Sequence, residues 1–286
     1  MSKHSIGARA AFQMRYALQR RFPGKTLPGM SVLLATWNRS RALDLALRAL
    51  AETLPEDHDV LVHDNASTDE TPDVIARWQK DSRLHLRAFR SRTNIGTSGY
   101  AALAIHARRT YLVAMDDDVV VLPRHWCDKV MAAFAAFPDL GYLALDVIQD
   151  EYTDGAKPLP VHYQPETRDG ITVEFGPCGG WVSITPRAFY LSTPGFPFRP
   201  HKRAFLHDAY YRRWVEQGGR RWGVLRGVKA YHANGALWNQ VFRPGAAAAA
   251  APILTGDPNS TLTYPPVGNR APDLAVIEQY RTAALS

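Results

Sequence analysis

A hydrophobic strand that ends in three consecutive aspartates constrains this chain more than any other feature. The run YLVAM at 111–115 is followed directly by Asp116, Asp117 and Asp118. A strand interior buries its side chains, so three adjacent carboxylates have to lie where the strand leaves the sheet. Like charges at this spacing raise one another's pKa unless a cation is close. A hard divalent cation would compensate them, and a solvated acidic loop, or a cap for the helix that begins near Pro123, is the simpler alternative.

The rest of the first half alternates between strand and helix patterns. Such an alternation predicts βαβ units, a mostly parallel sheet and helices packed on its faces. Ser67 and Glu70 match an S-x-x-E capping box, which predicts the start of the second helix. Strands are predicted near 31–36, 59–63, 84–89, 111–115 and 141–146, with helices near 40–52, 69–80 and 124–136 and a further one that ends near Arg108.

Polar side chains follow four of these strands at the point where each strand ends. Each set alone is ordinary turn chemistry, because Asn, Asp and Gly are common turn residues. Four sets at the same structural position predict a single polar cleft, since ligands of such sheets bind outside the carboxyl ends of the strands. The sets are Thr36, Trp37 and Asn38, then Asp64 and Asn65, then Arg92 and Asn94, and then Asp116, Asp117 and Asp118.

The second half of the chain has fewer regular patterns. Residues 150–175 are predicted as a loop or hairpin. Gly179 and Gly180 precede Trp181, at a place where a backbone can come close to a ligand. The run WGVLRGVKAYH predicts a strand that ends at His232.

A helix is predicted over 205–217. Leu206, Tyr210 and Trp214 recur every four residues and predict its buried stripe, and Asp208 falls off that stripe. Without further information Asp208 is a helix N-terminal aspartate favoured by the helix dipole, and His232 is a structural histidine.

The charge of the chain is unevenly distributed. Residues 1–29 hold 6 of the 34 Lys and Arg residues and no acid, which leaves 28 basic against 27 acidic residues elsewhere. A nearly neutral body argues against a nucleic-acid partner, which would require a basic stripe across it. The tail, with Ile6, Phe12, Met14, Leu18 and Phe22 among its basic residues, suits either a helix on an anionic membrane surface or an ordinary packed helix.

Composition sets the remaining limits. Hydrophobic content of 46% and charged content of 21% are those of a soluble globular protein. No apolar run approaches the roughly 20 residues that span a bilayer, and no secretory signal is recognisable. Cys127 and Cys178 form neither a disulfide framework nor a zinc motif, so a cytoplasmic protein is expected.

The predicted organisation is one α/β domain with two extensions. Residues 1–29 form a basic N-terminal extension, and 30–240 form the domain, in two halves at 30–122 and 123–240. Residues 241–286 are an Ala-rich linker and a tail that contains one short helix.

Four segments carry a family resemblance. SVLLATWNRSRALDLAL, VLVHDNASTDETPDVI, RTNIGTSGYAAL and YLVAMDDDVVVLP, in this order, resemble the N-terminal half of a GT-A glycosyltransferase of family 2, particularly its galactofuranosyl- and rhamnosyltransferase branches. The resemblance is close over 31–124 and looser as far as His232. It implies a Rossmann-like GT-A fold, with a donor-binding half at 30–122 and an acceptor half at 123–240. It also implies inverting, metal-dependent transfer of a sugar from a UDP- or dTDP-linked donor to a hydroxyl of a glycan or polysaccharide precursor. If the basic tail at 1–29 binds lipid, its composition would place the protein at the inner face of the membrane.

The resemblance also implies roles for individual residues. Asp64 is expected to accept the N–H of the donor base, and Asp208 to be the general base. Asp116, Asp118 and His232 are expected to hold Mn2+ or Mg2+. The acceptor side is expected at Gly179, Gly180, Trp181 and His207, of which His207 stands where the family has an acid. Donor-binding roles fall on Thr36, Trp37, Asn38, Asp64, Asn65, Arg92, Asn94, Gly96, Asp116 and Asp117.

Three other classes of protein fit the sequence less well. DDDVV also fits the D-x-D-x-[TV] motif of haloacid-dehalogenase-type phosphohydrolases, with Asp146 and Asp150 as a later acidic pair, but there the motif opens the domain. A non-catalytic nucleotide-sugar-binding protein would not need both a metal cluster and a base. A nucleotidyltransferase would require a Gly-rich first loop, and ATWNRSR is not one.

Overall fold

The computed structural model describes residues 3–153, 157, 160–200, 207–243, 268 and 270–286. The predicted Ala-rich linker at 246–251 lies outside these residues. The described strands are β1 (Leu27–Thr36), β2 (Asp59–Asp64), β3 (Leu86–Arg90), β4 (Arg109–Met115), β5 (Val119–Val121), β6 (Leu140–Val147), β7 (Gln164–Arg168), β8 (Ile171–Phe175), β9 (Val182–Pro186) and β10 (Arg221–His232).

Helices connect most of these strands. The described α-helices are α1 (Lys3–Arg21), α2 (Ser40–Thr53), α3 (Thr71–Trp78), α4 (Ser98–Ala104), α5 (Trp126–Ala136), α6 (Arg187–Ser192), α7 (His207–Gln217), α8 (Ala236–Phe242) and α9 (Ala275–Leu285), with one 3-10 turn at Pro160–His162. No described helix has both the length and the apolarity to cross a membrane.

The strands form one sheet in the order β3-β2-β1-β4-β9-β6-β10-β8-β7, with β5 paired to β10. β1 is parallel to β2 and β4, and β2 is parallel to β3, as the βα alternation predicts. β9 is antiparallel to both β4 and β6, so the sheet is mixed. Since β6 and β10 then run in the direction of β4, their carboxyl ends meet those of the first four strands at one edge.

Three buried apolar clusters of the described residues lie beneath the helices, and two of them include the following side chains. Leu43 and Leu47 of α2 belong to the same cluster as Trp126 of α5. Tyr16 of α1 and Tyr211 of α7 belong to a second cluster. Burying one such side chain fully stabilises the fold by about 1.5–3 kcal/mol relative to leaving it exposed. The clusters therefore stabilise the sheet whose strand ends carry the polar loops.

The predicted capping box is wrong. α3 begins after Glu70 without a side-chain cap, and Ser67 Oγ instead accepts a hydrogen bond from the Asn38 N–H. A tertiary contact, and not the local pattern, therefore selects the partner of Ser67. Of the stripe predicted for α7, Leu206 and the side chain of Tyr210 lie outside the described residues. Trp214 is half-buried and packs against the second cluster, which also holds the buried Tyr211 and Val215.

Candidate active site

The loops after β1 and β2 form one hydrogen-bonded unit. The Asn38 N–H donates to Ser67 Oγ (2.9 Å), and Asn38 Oδ1 accepts from the Thr68 N–H (2.7 Å). Asn38 adopts a φ of +50°, a left-handed conformation that asparagine tolerates better than most residues. The Asn65 N–H donates to the Thr36 carbonyl (2.9 Å). The first two predicted sets of polar residues therefore lie together.

Asn65 extends this unit to the turn after β3. Its Oδ1 accepts from the Ile95 N–H (3.3 Å), and its Nδ2 donates to the Gly96 carbonyl (3.2 Å). Asn94 Oδ1 accepts from the Gly96 N–H (2.8 Å), and Gly96 has a φ of +57°. Asn65, Asn94 and Gly96 are thus brought together as predicted, and their hydrogen bonds stabilise the shape of the turn.

Asp64 is buried at the floor of this unit. Its Oδ1 accepts from the Ser67 N–H (2.8 Å), and its Oδ2 has no hydrogen-bond partner among the described residues. The Arg90 guanidinium lies 3.3 Å from that Oδ2 and donates to the Ser67 carbonyl (2.8 Å). The arginine beside Asp64 is therefore Arg90, which sequence reasoning missed, while the predicted Arg92 is exposed.

Asp117 and Asp118 are paired with a cation that sequence reasoning also missed. Arg39 Nη1 lies 2.9 Å from Asp117 Oδ1 and 2.6 Å from Asp118 Oδ2, and Arg39 Nη2 donates to Asn239 Oδ1 of α8 (3.2 Å). Two of the three carboxylates are therefore compensated within the protein. A signal did exist, since Arg39 comes directly after Asn38, the last polar residue of the set at the first strand end.

These contacts set the ionisation of the pair. Burial raises the pKa of Asp117, and Arg39 offsets that rise only in part. Burial also acts to raise the pKa of Asp118, but Arg39 and His232 outweigh it and leave this pKa well below its usual range. Burial acts to lower the pKa of Arg39, and Asp118 and Asp117 raise it above its usual value. Asp118 is therefore a carboxylate at neutral pH.

Strand β5, which sequence reasoning missed, brings His232 to the aspartates. It follows them directly and pairs antiparallel with the end of β10, with Val119 opposite His232. His232 Nε2 lies 3.0 Å from Asp118 Oδ1 and 3.5 Å from Asp116 Oδ2. The predicted proximity of Asp118 and His232 is confirmed, although they are 114 residues apart in the chain.

Asp116 differs from its two neighbours. It receives a hydrogen bond from the Tyr100 hydroxyl on Oδ1 (2.8 Å), a contact that sequence reasoning missed. Desolvation raises its pKa, with His232 opposing that rise. Burial acts to lower the pKa of His232, but Asp118 and Asp116 more than compensate and raise it. Among the described residues, Asp116 forms its ion pair with His232 and not with a Lys or Arg.

The three predicted ligands fit a divalent cation. One ligand atom each from Asp116, Asp118 and His232 lies within 4.8 Å of the others. Ligation of a cation requires a neutral His232 and ionised aspartates, and in that state three carboxylates and one guanidinium give the cluster an excess of negative charge. Two carboxylates and one imidazole form a mixed oxygen and nitrogen set with coordination positions left for other ligands.

Trp181 fixes the backbone of Asp116. Its carbonyl accepts from the Asp116 N–H (2.9 Å), and its buried indole Nε1 donates to the Leu145 carbonyl (2.8 Å). A Cβ at Gly179 would lie 2.2 Å from the Trp181 ring, so no side chain fits there. Gly180 follows in the same loop. The acceptor-side roles of Gly179, Gly180 and Trp181 stay predictions.

The predicted base lies on α7. This helix begins at His207 and includes Asp208, but the side chains of both residues lie outside the described part of the chain. Tyr211 and Val215 are buried and fix the helix to the second apolar cluster. The roles of His207 and Asp208 stay predictions.

An α/β sheet that gathers hydrogen-bonded strand-end loops and a carboxylate–imidazole cluster at one edge defines a protein of the GT-A fold class. Residues 31–190, more than half of the chain, match the family described as Glycosyl transferase family 2. The chain belongs to this family. Membership overturns the haloacid-dehalogenase-type alternative, and Asp150 accepts a hydrogen bond from the Tyr231 hydroxyl (2.8 Å) instead of joining the aspartates.

Individual relatives resemble parts of the chain. A stretch of 66 residues is 42% identical to Validoxylamine A glucosyltransferase of Streptomyces hygroscopicus subsp. limoneus and covers 22% of this chain and 15% of that protein. TarS 1-349 of S. aureus has a TM-score of 0.57 at 17% identity, over 71% of this chain and 60% of that chain.

Two further solved structures were determined with donors. TarS 1-349 in complex with UDP-GlcNAc has a TM-score of 0.56 at 17% identity, over 71% of this chain and 58% of that chain. The mannosyltransferase PcManGT from Pyrobaculum calidifontis, in complex with GDP-Man and Mn2+, has a TM-score of 0.54 at 19% identity, over 80% of this chain and 67% of that chain. At these identities the likeness shows the fold alone.

Proposed function

We propose that this protein is an inverting, metal-dependent glycosyltransferase. It moves a sugar from a nucleoside-diphosphate sugar, with a UDP-sugar favoured, to a hydroxyl of a glycan or polysaccharide precursor. One observation carries the proposal. Asp116, Asp118 and His232 converge at the sheet edge where the loops after β1, β2 and β3 are joined into one unit.

The joined loops support a site for the donor base. Asp64 Oδ2 is buried without a hydrogen-bond partner among the described residues, so it can accept an N–H from a uracil-type base. The Arg90 guanidinium lies 3.3 Å from this oxygen and compensates its charge, and a carboxylate oxygen has the capacity to accept a further N–H. Thr36, Trp37, Asn38 and the turn at Asn94 border the same unit.

The aspartate cluster supports a site for the diphosphate. Asp116, Asp118 and His232 would hold Mn2+ or Mg2+, which would neutralise charge on the diphosphate leaving group as a Lewis acid. The protein's own part is to keep the ligands ionised and oriented. Arg39 and His232 hold Asp118 as a carboxylate, and Tyr100 orients Asp116.

Asp208 would act on the acceptor. As the acceptor oxygen attacks the anomeric carbon, Asp208 takes its proton, and the bond from that carbon to the diphosphate breaks. The proton then rests on Asp208 and the electron pair leaves with the nucleoside diphosphate. A single in-line displacement inverts the anomeric centre. α7, anchored by buried Tyr211 and Val215, supplies a fixed support for this residue.

Two measurements test the proposal. Calorimetric titration with UDP in the presence of Mn2+ should show binding that EDTA weakens, and a panel of nucleotide sugars should then be assayed for released UDP. Metal-dependent binding together with turnover of at least one sugar is expected. Binding without turnover of any donor in the presence of hydroxyl acceptors would assign a non-catalytic nucleotide-sugar-binding role. Absence of both would reject the donor site.

A further inference from the structure

Helix α1 is fixed to the body of the protein by its inner face. Phe12 and Tyr16 are buried, and the Tyr16 hydroxyl lies 3.0 Å from each of the Tyr190 and Thr193 carbonyl oxygens. The Phe12 ring stacks on Phe198 with the ring centroids 4.4 Å apart. The helix is therefore a packed element with a defined orientation, and its opposite face points away from the domain.

That outer face carries a row of apolar side chains. Met14, Leu18 and Phe22 are spaced four residues apart, and they are 63%, 52% and 67% exposed. The Phe22 N–H donates to the Leu18 carbonyl (2.8 Å), so the row continues past the end of the helix. Among the described residues the other exposed large apolar side chains are Trp37 and Val161, which lie elsewhere. The outer row is thus a concentration of exposed apolar surface.

Basic side chains flank the outer row on both sides. Arg15, Arg21 and Lys25 are exposed, and the Arg21 guanidinium lies 5.5 Å from the centre of the Phe22 ring. Arg108 is exposed where the chain enters β4 and borders, with Leu18 and Phe22, the groove beside the helix. Residues 1–29 contain no acid, so no carboxylate of this segment neutralises the surface.

Beyond the effect of burial, the positive charge of nearby arginines lowers the pKa of the neighbouring His106. Burial lowers its pKa, and Arg87, Arg15 and Arg108 lower it further. These arginines therefore lie close enough together to build a positive potential beside the apolar row.

We infer that the outer face of α1, formed by Met14, Leu18 and Phe22 with Arg15, Arg21 and Lys25, docks on an anionic lipid surface. The apolar row would enter the boundary between headgroups and acyl chains, and the basic side chains would contact lipid phosphates. A second copy of this chain is a poorer occupant, because the same surface on both partners would bring like charges together. Nucleic acid is also a poorer occupant, because its phosphates would contact the basic side chains and leave the apolar row exposed to water.

Sedimentation of the full chain with vesicles tests this inference. Phosphatidylcholine vesicles with and without phosphatidylserine should be compared at low and high salt, with light scattering as a check on self-association. Binding is expected to require phosphatidylserine and to weaken at high salt. The variant Leu18→Ser with Phe22→Ser should lower the partition coefficient at least tenfold, and Arg15→Gln with Arg21→Gln should do the same.

Matched controls separate the surface from general effects. Val161→Ser removes another exposed apolar side chain, and Lys80→Gln with Lys129→Gln removes the same net charge elsewhere, so both should bind like the wild type. All substituted side chains are exposed, so melting temperatures should agree within a few degrees. The inference would be overturned if the wild type did not bind the vesicles or if the α1 variants bound as well as the wild type. A dimer that dissociates only in these variants would overturn it as well.

Discussion

Two groups of carboxylate oxygens in the aspartate run have different partners. One oxygen each of Asp117 and Asp118 faces the permanently charged Arg39, which also reaches α8. The other oxygen of Asp118 and one oxygen of Asp116 face His232, and Asp116 also accepts from the Tyr100 hydroxyl. Arg39 thus compensates the first group, while the second group is left for the proposed cation. The difference teaches that a run of like charges can have a structural half, here the oxygens that face Arg39, and a binding half, here the oxygens that face His232.

The largest expected effect comes from removing the metal. Chelation with excess EDTA should lower transfer at least about a thousand-fold, because the Lewis acid contributes several kcal/mol to stabilising the leaving diphosphate. Added Mn2+ or Mg2+ should restore activity, as measured by released UDP. Full activity in excess EDTA would show that the binding half holds no metal.

Asp208→Asn should have the next largest effect. Asparagine keeps the shape but cannot take a proton, so turnover should fall by about 10²–10⁴. UDP affinity and melting temperature should change little. Asp64→Asn is the matched variant and should weaken UDP binding while leaving turnover largely intact.

A helix-capping role for Asp208 makes the opposite prediction. Asparagine is itself a good N-cap, so activity and stability would both stay near wild type. Such a result would place the base elsewhere.

Arg39→Gln should separate the two halves of the run. Removing one partner of a buried ion pair typically costs about 3–5 kcal/mol, so the melting temperature should fall. Arg39→Lys keeps a cation but loses the bidentate geometry and should recover part of the stability. Thermal unfolding with and without Mn2+ measures both effects.

The metal response is the sharper measurement on Arg39. Without Arg39, a bound cation becomes the main compensation for Asp118, so Mn2+ should raise the melting temperature of Arg39→Gln more than that of the wild type. An equal shift in both proteins would mean that Arg39 and the metal site act independently.

The smallest expected effect concerns His63 of β2, in the strand that leads into Asp64. Burial lowers the pKa of His63 from 6.5 to about 4, so the folded protein favours the neutral ring. Its contribution to stability is complete above pH 6.5 and is lost as the pH falls towards 4, by about 3 kcal/mol at most. His63→Gln should therefore flatten the decline in unfolding free energy over this interval. A decline as steep as that of the wild type would place the sensitivity in another group.

Local patterns were sufficient to predict the edge of the sheet where the site lies. Each strand end carries its polar residues within two or three positions, and the parallel arrangement then brings Asn38, Asp64 and Asp118 to one edge. The proximity of His232 was predicted from the family resemblance, because the local pattern by itself indicated a structural histidine. The inserted strand β9 was missed, since its five residues follow a glycine loop and complete no βα unit.

The sequence by itself determined which elements form, which of their ends carry polar groups, and the family to which the chain belongs. These properties depend on neighbouring residues, whose spacing sets helix or strand periodicity. Only the tertiary structure decided which groups meet. Arg39 and Asp117 are 78 residues apart, and the pairing of Arg90 with Asp64 and of Tyr100 with Asp116 depends equally on how loops fold over one another. A charge or hydrogen bond acts over a few ångströms of space, and separation along the chain does not specify that distance.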